Sequence, residues 1–316
     1  MIDRIVKSAL ALVLTAGAAV AQDYPSEPIT LIVPYSPGGN GDITSRFVAD
    51  QASDILGVKF IVENRAGGGA FIGINSCANA DPDGYTICFI STSPITVRPH
   101  VIDAPYDPMK DLTYVGQFLL SKQPIIARSD GKFTSLDDVI AYAKEKPGQL
   151  RWSAAVPRGG PHLATEAMFR AEGAVTTFLP SKGGAVELAN LLSGTIDLAV
   201  ISDYGPALDN GEIVILGETS PGRNPQAPDA PTLSELGYPL ELASFFGLAA
   251  PDGLPDDVIA VWDDTLKQIT ESEEFTTLME RIKTKGAYLS SADFTAQVRA
   301  DYEAMGKATQ KFGLAK

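Results

Sequence analysis

A short apolar strand, a glycine-rich turn and an amphipathic helix follow one another repeatedly along this chain, and that order leaves few architectures open. Ile29–Val33 reads as a strand, and the turn Pro34-Tyr35-Ser36-Pro37-Gly38-Gly39-Asn40-Gly41 follows it. Asp42 then stands near the start of a helix with Ile43, Phe47, Val48 and Ile55 on one side. Phe60–Glu63 and Thr86–Ile90 are further strands, separated by Gly67-Gly68-Gly69, a helix over Phe71–Ala80 and the turn Asp81-Pro82-Asp83-Gly84. A second series begins near Pro124. It has strands at Pro124–Ala127, Leu150–Ser153, Thr176–Leu179, Asp197–Ile201 and Ile213–Leu216, with helices at Leu136–Lys144, His162–Ala171, Ala185–Leu192 and Tyr204–Asn210. Phe245–Ala250 reads as a strand and the remainder as helical. Such alternation predicts an α/β fold of parallel sheets covered by helices on both faces.

The N-terminus reads as an address rather than as part of that fold. Arg4 and Lys7 precede an apolar run from Ala9 to Ala21 that ends in Ala19-Val20-Ala21, a small-x-small cleavage pattern. The run is too short to span a bilayer core, so residues 1–21 are predicted to be a signal peptide cleaved after Ala21, and the mature chain periplasmic. The remaining length exceeds one comfortable core and suggests two domains. With 39 acidic against 25 basic residues the net charge is −14. No basic cluster is present, which disfavours nucleic acid and anionic membrane as partners. An acidic body does not steer an anion inward, so local donors would have to hold one.

Cys77 and Cys88 are the only cysteines, and His100 and His162 the only histidines, so no His/Cys set with zinc spacing exists. In an exported chain, two cysteines eleven residues apart predict a disulfide rather than a metal site.

Glycine-rich turns at strand ends let backbone N–H groups approach a ligand, and helix N-termini favour anions. In open α/β sheets the binding crevice lies at the carboxyl ends of the strands, where the turns Pro37–Gly41, Gly67–Gly69, Pro157–Gly160 and Gly183-Gly184 fall. Each turn alone is explained by chain reversal; four together point to an anion site. Gly67-Gly68-Gly69-Ala70-Phe71-Ile72 imitates a dinucleotide fingerprint but has Ile72 at the last glycine position, and no cofactor is expected. Neither a GxxxxGK[ST] phosphate loop nor a GxSxG elbow is present. Arg158, in Val156-Pro157-Arg158-Gly159-Gly160-Pro161, stands just before a helix, where a guanidinium can grip a carboxylate in bidentate fashion. The alternative is a solvated surface arginine. His162 fits a donor to a ligand or a packed helix-start residue equally well, and Lys182 a structural or rim residue.

These residues also carry a family likeness. Tyr24-Pro25-Ser26-Glu27-Pro28-Ile29, Val33-Pro34-Tyr35-Ser36-Pro37-Gly38-Gly39 with Asp42, and Val62-Glu63-Asn64-Arg65-Ala66-Gly67 resemble the Bug-type substrate-binding proteins of tripartite tricarboxylate transporters. Pro82-Asp83-Gly84-Tyr85-Thr86, Pro105-Tyr106-Asp107-Pro108, Pro180-Ser181-Lys182-Gly183-Gly184 and Phe246-Gly247-Leu248 extend the likeness, in order, from about Tyr24 to Gly313. The resemblance implies a two-lobed fold like that of type II periplasmic binding proteins, each lobe a mostly parallel sheet flanked by helices, with two crossovers. The first lobe would comprise residues 22–122 plus 244–316 and the second 123–243, with hinges near Leu119–Lys122 and Ala243–Ser244. It further implies a small organic carboxylate as ligand, delivered to a two-component membrane permease by a monomeric shuttle.

By position, the resemblance assigns ligand contacts to Tyr35, Ser36, Gly38, Gly39, Asn40 and Asp42, and to Ser91, Thr92 and Ser93. On the second lobe it assigns Pro157, Arg158, Gly159, Gly160, His162, Lys182, Gly183 and, in the segment Ile201-Ser202-Asp203-Tyr204, Asp203. The chain departs from the family where Ala155–Pro161 is one residue longer and carries Arg158. A charged Arg158 predicts a second carboxylate on the ligand, hence a dicarboxylate, aromatic ones included. The competing readings are a sensor subunit presenting the same ligand to a membrane regulator, and an exported hydrolase using His162 with a nearby serine. A binding protein returns its ligand unchanged, whereas a hydrolase turns it over.

Overall fold

The computed structural model describes residues 24–238 and 242–316, so the signal peptide expected over 1–21 lies outside the described residues. No helix among the described residues is long and apolar enough to cross a membrane.

The first sheet draws strands from both ends of the chain. β1 (Ile29–Val33) pairs in parallel with β2 (Phe60–Asn64) on one side and β3 (Thr86–Ser91) on the other. β4 (Leu112–Ser121) completes the outward half of this sheet. The chain then enters a second sheet made of β5 (Pro124–Arg128), β6 (Arg151–Ala154), β7 (Thr177–Phe178), β8 (Leu198–Val200) and β9 (Ile213–Glu218). It returns with β10 (Ser244–Pro251) and adds β11 (Lys285–Leu289) at the edge. The strand orders are β11-β4-β10-β3-β1-β2 and β7-β6-β8-β5-β9.

Both sheets are mixed. β10 runs against β3 and β4, so those two point the same way, and β11 opposes β4. In the second sheet β5 runs against β8 and β9, while β6 is parallel to β7 and β8. Most strands therefore share one direction, as expected. The reversed ones include β5 and β10, which enter from the other sheet and are free of the βαβ crossover that enforces parallel pairing.

Ten helices flank the sheets among the described residues: α1 (Asn40–Leu56), α2 (Phe71–Ala78), α3 (Arg98–Val101), α4 (Leu136–Glu145), α5 (Gly160–Ala171), α6 (Gly184–Leu192), α7 (Gly205–Asp209), α8 (Asp256–Glu271), α9 (Glu273–Arg281) and α10 (Ser291–Lys311). α1 ends because Gly57 adopts a left-handed φ of 70° and its N–H returns to the Ser53 carbonyl. Val48, Ala49 and Ala52 on its inner face pack with Leu31, Phe89, Phe118 and Trp262 in the first core. Trp152, Phe169, Met168 and Leu198 anchor the second. Burying a side chain of this size stabilises the fold by roughly 1.5–3 kcal/mol. Cys77, in the last turn of α2, is disulfide-bonded to Cys88 on β3, their Cα atoms 6.0 Å apart.

The alternation in the sequence does not mark β4, β11 or the helical stretch Ser93–Val101. From sequence the C-terminal segment reads as purely helical. α10 does more than close the first lobe. Phe294 and Val298 pack under the first sheet, while Met305, with Phe312 and Leu314 beyond the helix, joins the second core beside Val97 and Val101.

Candidate functional site

The turns at the strand ends of the two sheets face each other across a cleft. The turn after β1 meets the turn before α6, where the Ser36 N–H donates to the Lys182 carbonyl at 3.4 Å. Asn40, first residue of α1, donates its backbone N–H to Asp203 Oδ1 at 2.5 Å and its side-chain Nδ2 to the Ser202 carbonyl at 2.7 Å. On another side of the cleft the Gly160 N–H donates to Ser93 Oγ at 3.2 Å. The cavity enclosed between these contacts is about 60 Å³.

Its wall is polar and almost uncharged. Tyr35, Ser36, Ser91, Ser93, Ser202 and Gln123 supply hydroxyl and amide groups, Phe246 and Val200 an apolar floor, and Asp203 is the one charged side chain on the lining. The Tyr35 hydroxyl and Ser91 Oγ share a hydrogen bond of 2.7 Å, and burial pushes the Tyr35 pKa to about 12, so it serves as a neutral donor. Burial also raises the Asp203 pKa, partly offset by the Asn40 N–H and the Ser202 hydroxyl. Gly39 and Gly184 make room for this carboxylate. A Cβ on Gly39 would stand 2.6 Å from Asp203 Oδ1, and one on Gly184 would stand 1.9 Å from Oδ2.

The sequence-derived candidates separate into three groups. Tyr35, Ser36, Gly39, Ser91, Ser93 and Asp203 line the cavity. Gly38, Asn40, Gly159, Gly160, Lys182 and Gly183 form the turns that bring the lobes together, with Lys182 acting through its carbonyl. Gly38, at φ 90°, donates its N–H to Asp42 Oδ2. Asp42, Thr92, Pro157, Arg158 and His162 are absent from the lining. Asp42 braces the first turn: Oδ1 accepts from Arg46 and Asn64, and despite burial these bonds and the Gly38 N–H hold its pKa below the usual carboxylate range. Thr92 Oγ1 accepts the Phe245 N–H.

His162 is packed against Trp152 and Phe178, its Nδ1 accepts the Arg158 N–H at 3.2 Å, and its Nε2 faces Glu166. Burial lowers its pKa to about 4. Among the described residues its ring nitrogens meet no serine hydroxyl, as a nucleophile–base pair would require.

Gln123, Ser202 and Ser244 also line the cavity, and sequence reasoning assigns none of them a ligand contact. Gln123 Nε2 donates to Ser244 Oγ at 3.1 Å, joining the two crossovers at the base of the cleft. For Gln123 and Ser244, the position beside the expected hinges is the available signal.

The family model described as the tripartite tricarboxylate transporter family receptor matches residues 44–314. The chain is 32% identical over 284 residues to Protein BugT of Bordetella pertussis, covering 87% of this chain and 86% of that protein. It is 30% identical over 311 residues to a UPF0065 protein of Cupriavidus necator, covering 98% and 94%. The structure of periplasmic binding protein BugD matches with a TM-score of 0.85 at 26% identity, over 93% of this chain and 100% of that one. An R. palustris protein with adipate matches with a TM-score of 0.84 at 29% identity, over 93% and 99%.

Proposed function

Because the chain belongs to the tripartite tricarboxylate transporter receptor family, as a Bug-type periplasmic binding protein, we propose that it captures a small organic carboxylate between its lobes and delivers it to a two-component membrane permease. The observation that carries this reading is the cavity itself: both lobes contribute neutral donors to it from strand-end turns. Hydrogen bonds from such donors to a carboxylate are worth roughly 1.5–3 kcal/mol each, enough together to offset its desolvation. Asp203 is compatible with an anionic ligand because its raised pKa allows a proton to be shared between the two carboxyl groups.

In this reading residues 22–122 with 244–316 move against 123–243, and the cleft-lining and turn residues named above make the site. A ligand touching both lobes stabilises the closed form by its differential affinity. A dicarboxylate fits best, since Arg158 adds a cation on the rim; the R. palustris relative, with adipate, supports that class. The chain acts in the periplasm, carries its ligand without converting it and works as a monomer.

The test is a thermal-shift screen of the mature protein against mono-, di- and tricarboxylates, with the recovered ligand analysed by NMR. A ligand at a thousandfold excess over its Kd should add about 4 kcal/mol of native-state stability and be recovered intact. No shift with any carboxylate would overturn the ligand class, and conversion of the ligand would overturn the carrier role.

A further inference from the structure

Arg98 is the most deeply buried cation beside the cleft, at 6% exposure. It follows the cavity-lining Ser91 and Ser93 in the chain, with Thr92 between them. Its Nη1 donates to the carbonyls of Gly68 and Gly69, and its guanidinium lies 4.1 Å over the Phe71 ring. Gly69, at φ 62° and without a Cβ, is what lets the guanidinium approach so closely. Its Nε is buried with no hydrogen-bond partner. No carboxylate pairs with it among the described residues, which is unusual because a buried guanidinium is ordinarily matched by an acid.

Arg158 stands on the opposing turn and is exposed. Among the described residues its side chain has neither hydrogen bond nor ion pair; its one hydrogen bond is from the backbone to His162. The turn that carries it is held against the Arg98 segment by the bond from the Gly160 N–H to Ser93 Oγ. Burial lowers the Arg98 pKa. Tyr106 and Tyr35 counter that effect and Arg158 adds to it. The two segments are also packed together, since a Cβ on Gly160 would stand 3.8 Å from Cγ2 of Val97, the residue before Arg98. One cation from each lobe thus lies beside the Ser93–Gly160 contact, outside the cavity lining itself; the Arg98 Nε is unpartnered and, among the described residues, no carboxylate pairs with either guanidinium.

We propose that Arg98 and Arg158 together form a second anionic seat, which holds the remote carboxylate of a dianionic ligand and selects it over a monoanion. This rests on the carboxylate-carrier reading above. Closing the lobes brings like charges together, and an anion between them converts that repulsion into attraction. The Arg98 fork, fixed by two carbonyls and an aromatic face, is preorganised for a planar carboxylate, and Arg158 supplies the mobile half.

The experiment is calorimetric titration of the mature protein with matched acids: succinate and butyrate, adipate and hexanoate, terephthalate and benzoate. Wild type should bind the diacid of a pair more tightly than the monoacid. Arg98→Lys and Arg158→Ala should each weaken the diacid by roughly ten- to hundredfold and leave the monoacid within about twofold. The double variant should fall no further than the weaker single variant, because both arginines act on one carboxylate. Arginine-selective NMR of the wild-type protein provides a readout independent of whether Arg98→Lys folds: the shielded Arg98 Nε–H should shift with the diacid and not with its monoacid partner.

Equal losses for diacid and monoacid, additive losses, or an unmoved Arg98 resonance would overturn the seat while leaving the carrier reading intact. If neither acid of any pair binds wild type, the carrier reading falls and the seat with it.

Discussion

The Asp203 carboxylate, from the second lobe, accepts the backbone N–H of Asn40 at the head of α1 in the first, and it does so between two glycines. Gly39 lies across the cleft from it and Gly184 lies in its own lobe, so the carboxylate has little room to retreat. Gly39 has φ −86° and ψ 170°, a conformation open to any residue. Gly39→Ala should therefore fold normally but place a methyl 2.6 Å from Asp203 Oδ1 only when the lobes meet. We expect ligand affinity to fall by roughly five- to a hundredfold, the scale of about 1–3 kcal/mol for overpacking. Asp203→Ala removes the atom that clashes, so the double variant should bind no worse than Asp203→Ala alone. Titration of the single and double variants checks it; equal affinity in Gly39→Ala would show that the lobes do not close on this contact.

That relationship marks where sequence reasoning stops. The glycine-rich turns at Gly38-Gly39, Gly159-Gly160 and Gly183-Gly184 were legible because strand pattern, glycine and helix start are all local signals. Their facing partners were not local. Asp203 lies 163 residues from Asn40, and Gln123 lies 121 residues from Ser244. β11 escaped notice because Lys285–Leu289 is half-exposed and finds its partner only in the distant β4. Arg98 stood in Ser93–Val101, a stretch without turn signals whose helical form depends on packing against α10. Asp42 and His162 were read as ligand contacts from position alone; the structure gives each a full set of protein partners.

Glu187 gives the fold a pH dependence of unusual sign. It is fully buried on α6, its Oε1 accepts the hydroxyls of Ser153 and Ser181 at 2.8 Å, and its Oε2 has no partner. Burial raises its pKa to about 8 from the ordinary 4.5. Between those values the unfolded chain has lost the proton and the folded chain retains it, so stability falls as pH rises across that window and is flat above it. At one unit per about 1.4 kcal/mol the whole effect is on the order of 5 kcal/mol as an upper bound. Urea melts at pH 5 and pH 8 should show wild type losing stability and Glu187→Gln losing distinctly less. Asp203 and Glu218, also raised by burial, leave a residual slope of the same sign. Equal slopes in the two proteins would mean that Glu187 is not the group responsible.

The Cys77–Cys88 disulfide closes a loop of eleven residues' separation between α2 and β3, and both cysteines are fully buried. Cross-linking so short a loop stabilises by roughly 3 kcal/mol through the entropy of the unfolded chain. Protein denatured without reductant should show no free thiol. Denaturing in reductant should lower the urea midpoint, and the Cys77→Ala/Cys88→Ala protein should match the reduced wild type. Reaction with a thiol reagent before reduction would refute the pairing in the purified protein.

Arg158 is held at φ 59°, a left-handed conformation that costs an L-residue about 1–2 kcal/mol relative to glycine. Backbone strain of this kind persists where surrounding contacts impose it, here the bonds from the Arg158 N–H to His162 Nδ1 and from the Gly160 N–H to Ser93. Glycine relieves the strain but adds freedom to the unfolded chain, worth about 0.5–1 kcal/mol in the other direction. Without ligand, Arg158→Gly should therefore melt about 1–2 °C above Arg158→Ala. With a diacid present, both should melt below liganded wild type, because neither carries the guanidinium. The comparison separates the two functions of the position, since strain depends on the backbone and selectivity on the side chain. A variant pair with identical melting temperatures in the absence of ligand would show that the turn relaxes once Arg158 is removed.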